Sequence, residues 1–383
     1  MMKNEINEQI KIFINSTSLR RSPSNSFNSD GQSPVTQNPS RYVVWFNNAL
    51  DEGHINRFEY SDFKNIQEIG KGGFGIVHSA DYLGTKLALK SFLRGKAMIT
   101  KDFINELKQI RAVDFHPNII KFFGISFDPK TNSAIMVLQY ANGGNLRDYL
   151  KTKWENNIYK ISFAEVIQMA NQITHGLKCL HSKKIIHRDL HSKNILINDK
   201  DVLIADFGLA KKMNDSLITS NLEGLGIPAY LEPQFYTDRM VKLNEKSDIY
   251  SLGVLFWELS SGVPPFDGVD VIAVGVMIAN GKREEKIPGT PDDYVNLFKK
   301  CWSQSPLLRP ELDEILECLD KLSKVKTESF ISYERQSTDY VQQSMHKLPI
   351  DENSANLAVS QSIFVGDLMS NKAKQLCELG ITR

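Results

Sequence analysis

The cluster Gly70-Lys71-Gly72-Gly73-Phe74-Gly75 is the feature that most constrains this chain. Glycines in GxGxxG spacing let bare backbone approach a bound group where side chains would clash. Dinucleotide-binding turns share that spacing, but they run from a strand into a helix. Here the following residues, Ile76-Val77-His78-Ser79-Ala80, read as a strand. A strand–loop–strand flap is therefore expected, and a dinucleotide-binding oxidoreductase is excluded. Twenty residues after Gly70 comes Leu87-Ala88-Leu89-Lys90, the pattern of a strand lysine that binds α- and β-phosphates. A buried lysine needs an anionic partner. Glu106 is the natural candidate, on a helix predicted over 99–112 with Phe103, Leu107 and Ile110 at core spacing.

The rest of the chain divides by composition. In residues 16–40, nineteen of 25 are Ser, Thr, Asn, Gln, Pro or Gly. Such a segment buries too little apolar surface to offset its ordering entropy, so disorder is expected there. Residues 63–92 read as short strands and 119–139 as two more; beyond Asn145 helical periods dominate. Phe163, Val166, Ile167, Ala170, Ile173, Leu177 and Leu180 form one helical stripe, with Ser162 and Glu165 at capping-box spacing. The nearly continuous apolar run Ile249 to Leu259 predicts a buried core helix, and helical patterns last to about Leu322. Residues 324–383 are rich in Ser, Gln and Asn, and only 367–379 reads as helix. The expected organisation is an N-terminal extension (1–61), a catalytic unit (62–323) and a mostly disordered C-terminal tail (324–383).

Charge excludes some partners. Lys plus Arg is 46 and Asp plus Glu is 45, a net charge of +1. Residues 1–60 hold six charges of each sign and residues 324–383 seven of each, so neither end hides a basic or acidic tail. No nucleic-acid partner is indicated. The four cysteines lie far apart without a CxxC pair, which argues against a disulfide framework or a zinc site. The longest greasy run, Val269 to Ala279, is far short of the ~20 residues that cross a bilayer. No signal peptide or membrane span is read, so a soluble cytoplasmic protein is expected, with the nucleus as an alternative.

Two further motifs carry chemistry. His187-Arg188-Asp189-Leu190-His191-Ser192-Lys193-Asn194 fits HRDxxxxN, and Asp206-Phe207-Gly208 follows seventeen residues after Asp189. With these, residues 63–322 resemble the eukaryotic protein kinase superfamily. The resemblance implies an α+β, bilobal fold: a small β-rich lobe with one main helix and a larger, mostly helical lobe. It implies ATP and Mg²⁺, with Mn²⁺ as a substitute, and a protein substrate. Asp189 should accept the proton of the attacking hydroxyl, Lys90 should hold phosphates, and Glu106 should hold Lys90. Asp206 and Asn194 should ligate the metal ions. The nucleotide should be covered by Ile69, Gly70, Lys71, Gly72, Gly73, Phe74 and Gly75. Val77, Ala88 and Leu196 should sandwich adenine. Gln139, Tyr140 and Ala141 should form the hinge, with Leu138 as gatekeeper. Ile110, Phe122, His187 and Phe207 should stack as a regulatory spine, and Asp248 should bond the 187–189 backbone from a buried helix.

The sequence departs from the family in three places. Serine/threonine kinases carry Lys where His191 stands, whereas Lys193 occupies the place where tyrosine kinases carry Arg. Ile227 replaces the usual Thr. Glu232-Pro233-Gln234 replaces Ala-Pro-Glu, so a weakened anchor between Gln234 and Arg309 is expected. The mixture, with Cys301-Trp302 before Arg309, resembles the tyrosine-kinase-like group. Arg188 should meet a negative charge from the activation loop, either a standing one at Glu223 or a phosphate on Ser216, Thr219 or Ser220. Three functional readings follow: a serine/threonine protein kinase in intracellular signalling, a tyrosine or dual-specificity kinase, and a nucleotide-binding pseudokinase scaffold. Oligomeric state is not readable.

Overall fold

The computed structural model describes residues 41–72, 75–92, 101–212, 227–238, 241–324 and 330–334. The segments 16–40 and 367–379, the loop residues Gly73 and Phe74, and Ser216, Thr219, Ser220 and Glu223 lie outside the described residues. The chain forms two compact units. One takes in the described residues up to Lys108 with Lys121–Tyr140; the other takes in Gln109–Ile120 and the described residues from Ala141 onward.

The first unit opens with helix α1 (Arg41–Asp51). It continues as β1 (Lys64–Lys71), β2 (Gly75–Tyr82), β3 (Thr85–Phe92), helix α2 (Lys101–Arg111), β4 (Phe122–Phe127) and β5 (Ala134–Gln139). The five strands make an antiparallel sheet in the order β1-β2-β3-β5-β4. Side chains alternate faces along a strand. Leu87 and Leu89 thereby join Ala80, Ile135 and Val137 in a core closed by Phe58 and Phe63. Leu83 and Gly84, both at positive φ, make the two-residue turn between β2 and β3.

The second unit is mainly helical: α3 (Leu146–Lys151), α4 (Phe163–Ser182), α5 (Glu245–Ser261), α6 (Val271–Ala279), α7 (Asp292–Cys301) and α8 (Leu312–Lys324). Short strands lie between them: β6 (Trp154–Glu155), β7 (Ile158–Ser162), β8 (Ile185–Ile186), β9 (Ile195–Asn198), β10 (Asp201–Ile204) and β11 (Lys211–Lys212). β12 (Phe330–Glu334) follows α8. The stripe read from Phe163 to Leu180 is fully buried on α4, which packs on α8, while α5 packs on α7. The α5 run is buried all round, as its continuous apolar sequence requires. Asn244 and Ser247 form the capping box at its start.

The structure changes three expectations of detail. Ser162 makes no side-chain cap bond at the start of α4. Glu165 instead accepts hydrogen bonds from Tyr149 Oη at 2.5 Å and Lys153 Nζ at 2.7 Å, which removes it from capping. Folded elements also occur beyond residues 62–323, namely α1 and β12. β12 pairs with β7, and the rings of Trp154, Tyr159 and Tyr333 cluster with centroids 5.3–5.9 Å apart. The cluster closes the end of α5: Tyr159 Oη donates to the Leu259 carbonyl, Tyr333 Oη to Ser261 and Trp154 Nε1 to Gly262. Three carbonyls orphaned at a helix end thus find partners.

The third change concerns Arg309. Gln234 is not its partner; Glu232 is, through a two-pronged ion pair at 2.5 and 2.8 Å. Glu232 caps the short turn Pro233–Tyr236, and from there its carboxylate meets the guanidinium. The remaining donors of Arg309 go to the carbonyls of Ser303, Lys246 and Gln304. All five N–H groups of a fully buried arginine are therefore satisfied. The anchor is not weakened, because the acid has moved two residues along the chain. Removing one member of a buried pair strands the other, so Glu232→Gln should lower unfolding free energy by about 3–5 kcal/mol. Gln234→Ala should cost about 0.5 kcal/mol or less. Urea denaturation of both variants measures the difference; a larger loss for Gln234→Ala contradicts the assignment.

Candidate active site

Cross-strand register sets the face of the sheet that carries Lys90 in the first unit. Lys90 stands opposite Val77 and Met136, and Ala88 opposite Ser79 and Leu138. Directly paired residues share a face. Val77, Ala88, Lys90 and Leu138 therefore occupy one face, opposite the core face of Leu87 and Leu89. The Lys90 side chain is only 7% exposed and Glu106 2%, so both charges need polar partners inside the protein. Lys90 Nζ donates to Glu106 Oε1 at 2.6 Å. The pairing expected across sixteen residues is thus formed, because α2 buries Phe103, Ile104, Leu107 and Ile110 and so fixes which side Glu106 occupies.

The glycine loop closes as a hairpin, with Gly72 N donating to Gly75 O at 2.9 Å. A Cβ at Gly75 would stand 2.1 Å from Ser91 O, so this glycine is required by the sheet itself. A Cβ at Gly70 or Gly72 would meet nothing within 4 Å. Protein packing gives no reason for glycine there; a ligand passing close to the backbone does. Ile69 and Lys71 are exposed at the end of β1. The boundary between the two units falls between Tyr140 and Ala141, inside the Gln139–Ala141 stretch read as a hinge.

In the second unit, Asp248 organises the catalytic loop. Its Oδ2 accepts from His187 N at 2.9 Å and lies 2.8 Å from His181 Nε2; its Oδ1 accepts from Arg188 N at 2.9 Å. Burial alone would raise this carboxyl, but the hydrogen bond and charge of His181, with the Arg188 amide, hold it below the ordinary carboxylate value. These bonds pin Arg188 at φ +68°, a left-handed conformation that costs a non-glycine residue energy. His187 Nε2 lies 3.1 Å from Ala205 O, and the His187 and Phe207 rings are 5.6 Å apart. Two of the expected spine residues therefore touch within this unit.

A compact polar cluster forms around Asp189. Asn194 Nδ2 donates to the Asp189 carbonyl at 2.8 Å and to its Oδ2 at 3.1 Å. Oδ1 is buried and accepts no hydrogen bond among the described residues; His191 Nε2 is 3.5 Å away. His191, in the lysine position of serine/threonine kinases, is thus buried beside Asp189, while Lys193 is exposed. Both N–H contacts of Asn194 go to Asp189, so its amide oxygen is turned away from that residue. Asp206, at φ +64°, accepts from Gly208 N at 3.2 Å. Among the described residues no group of three His, Cys, Asp or Glu could hold a metal. A carboxylate and an amide oxygen suit a hard cation that completes its shell with phosphate oxygens and water, so Asn194 and Asp206 fit Mg²⁺. Leu196 sits on β9, where it pairs with Leu203 and bridges to Asn145.

One network escaped sequence reading. Glu258, buried on α5, accepts from Arg147 Nε at 3.0 Å, from Ser192 Oγ at 2.8 Å and from Tyr230 Oη. It ties α3 and the Pro228–Tyr230 turn to the middle of the catalytic loop. Burial pushes this carboxyl up, and Arg147 and Ser192 oppose the rise. The available signal was a single acid within the apolar run from Ile249 to Leu259.

Asp248 also gives a pH prediction. A carboxyl depressed in the folded state contributes stability that is complete above its unfolded value, about 4, and lost as pH falls through the folded value. The stability gap between wild type and Asp248→Asn should be constant from pH 6 to 8 and should shrink below about pH 4. Thermal melts across pH measure it; a gap that widens on acidification contradicts the assignment.

Comparison with known proteins agrees with this geometry. A model of the family described as protein tyrosine and serine/threonine kinase matches residues 63–319. The chain is similar to dual specificity protein kinase pyk3 of Dictyostelium discoideum, 32% identical over 282 residues, 72% of this chain and 20% of that protein. It is similar to mitogen-activated protein kinase kinase kinase 10 of Xenopus laevis, 31% identical over 315 residues, 77% of this chain and 30% of that protein. It is also similar to tyrosine-protein kinase Abl of Drosophila melanogaster, 29% identical over 276 residues, 71% of this chain and 16% of that protein. The chain spans less than a third of the length of these curated relatives. With a family model matched over most of its length, and with Lys90 paired to Glu106 and Asp189 bonded to Asn194, the chain belongs to the protein tyrosine and serine/threonine kinase family.

Proposed function

We propose that this protein kinase transfers the γ-phosphoryl group of ATP to serine and threonine hydroxyls of protein substrates. The observation that carries the reading is Asp189: one carboxylate oxygen committed to Asn194, the other buried without a hydrogen bond among the described residues. A buried acceptor of that kind suits a substrate hydroxyl, which it can orient and deprotonate. Lys90, with its charge held by Glu106, binds the α- and β-phosphates. Gly70 and Gly72 leave the backbone open to the nucleotide. Val77 and Ala88 contact adenine from the sheet face that also carries Lys90, and Gln139 and Tyr140 bond its edge. The divalent cation, held by Asp206 and Asn194, neutralises phosphate charge when bound. Lys193 supplies a positive charge toward the transferred group.

Within the superfamily we place the chain in the tyrosine-kinase-like group, from its mixed motifs and its likeness to a mitogen-activated protein kinase kinase kinase. The reading of tyrosine or dual specificity rests on Lys193 and Ile227, and on the similarity to a dual specificity kinase. A nucleotide-binding scaffold is disfavoured by the intact Lys90–Glu106 pair. No helix among the described residues is long and apolar enough to cross a membrane. Cys179, Cys301 and Cys318 are free thiols, which suits the reducing, ATP-rich cytoplasm.

The full chain should incorporate phosphate from labelled ATP and Mg²⁺ as phosphoserine and phosphothreonine, and Asp206→Ala should lower the rate about 100-fold or more. Phosphotyrosine alone would overturn the serine/threonine assignment. Incorporation no greater than that of Asp206→Ala would point instead to the scaffold.

A further inference from the structure

We propose that helix α1, outside the matched family region, is a built-in positioning element for the Lys90–Glu106 pair, with Phe46 as its main contact. This deepens the reading of that pair as the phosphate-holding device. α1 lies 12 residues ahead of Phe63, where the family match begins, yet it is part of the first unit rather than a loose leader. Its inner face buries Phe46 and Ala49, at 1% and 5% exposure, and the following chain buries Ile55 and Phe58.

The contacts run in an unbroken series to the site. The Phe46 ring meets Phe103 of α2 edge-on, with centroids 5.8 Å apart. Phe103 meets Phe92 at the end of β3 edge-on at 5.4 Å. Lys90 Nζ lies 5.4 Å from the Phe92 ring centroid and 2.6 Å from Glu106. A second grip comes from Trp45, whose ring carries the Lys108 ammonium at 4.3 Å. Phe103 and Lys108 bracket Glu106 along α2, so α1 holds that helix on both sides of the residue that matters. Edge-to-face aromatic pairs and a cation over a ring are directional, and they set angle and register as well as burying area.

The chain between α1 and β1 makes this grip rigid. Phe58 N donates to Ile125 O at 2.8 Å and Ile125 N to Asn56 O at 2.9 Å, so residues 56–58 run along the free edge of β4. Asn56 Nδ2 adds a bond to Phe123 O. A Cβ at Gly124 would lie 2.3 Å from Asn56 O, so the close approach depends on glycine at that position. α1 is thus tied to the sheet at one end and to α2 on its face. Since Lys90 is on the sheet and Glu106 on α2, α1 constrains the distance between them.

The test uses the full chain and a double-mutant cycle. Phe46→Ala should lower kcat/KM for ATP about tenfold in the wild-type background but less than about twofold in Glu106→Gln, because the coupling is already lost there. Phe46→Leu, which keeps much of the apolar volume but not the ring, should fall between Phe46→Ala and wild type. Hydrogen exchange of amides 101–111 should rise in Phe46→Ala. If that variant is poorly folded, Trp45→Ala, which removes the Lys108 contact, gives the same cycle with a smaller effect. Equal loss in both backgrounds, or unchanged exchange in helix 101–111, overturns the proposal. A Glu106→Gln chain as active as wild type would sink the reading of the ion pair, and the proposal with it.

Discussion

A carboxylate at the centre of the helical unit, Asp248, sets the terms for the rest of the site. It is completely buried, and a buried charge survives only when its lone pairs are satisfied. Its partners are the His181 ring and two successive backbone amides at 187 and 188. Those amides belong to the loop that ends in Asp189 and Asn194. Arg188 is held at a strained φ, and the bonds to Asp248 over-determine that geometry. Asp189 then falls beside Asn194, and the amide of Asn194 is oriented as a consequence.

The same logic recurs wherever charge is buried. Lys90 with Glu106, Arg147 with Glu258 and Arg309 with Glu232 are all closed pairs. Each joins two elements that are distant in sequence. Pairs of this kind are weak evidence for net stability but strong evidence for fixed geometry, because the misaligned state leaves a bare charge in apolar surroundings. The relocated acid at Glu232 shows that the constraint acts on charge satisfaction and not on a particular position in a motif. The chain lost the acid at 234 and kept the ion pair.

Much of the site was legible beforehand because its residues sit in short segments with rigid spacing. Gly70, Gly72, Lys90, Asp189, Asn194 and Asp206 each belong to a short motif that can be read without knowing which elements pack together. The stripe on α4 and the buried run of α5 were legible because periodicity reports burial. Three things were not. Ser162 and Glu165 had capping spacing, but Tyr149 and Lys153 claimed the carboxylate. Glu258 hid in an apolar run. α1 and β12 lie beyond the motifs, and their docking partners, Phe103 and β7, are remote in sequence.

What the sequence determined by itself was the set of motifs: the glycine loop, Lys90, the 187–194 segment and Asp206-Phe207-Gly208, in an order and spacing that point to the kinase family. Local spacing and side-chain type suffice for that. What only the tertiary structure decided was pairing. Whether Arg309 met Glu232 or Gln234, what held Glu258, and whether residues 41–58 packed against α2 depended on which elements came together. Those choices are made by competition among contacts between remote segments, and no local pattern records who wins.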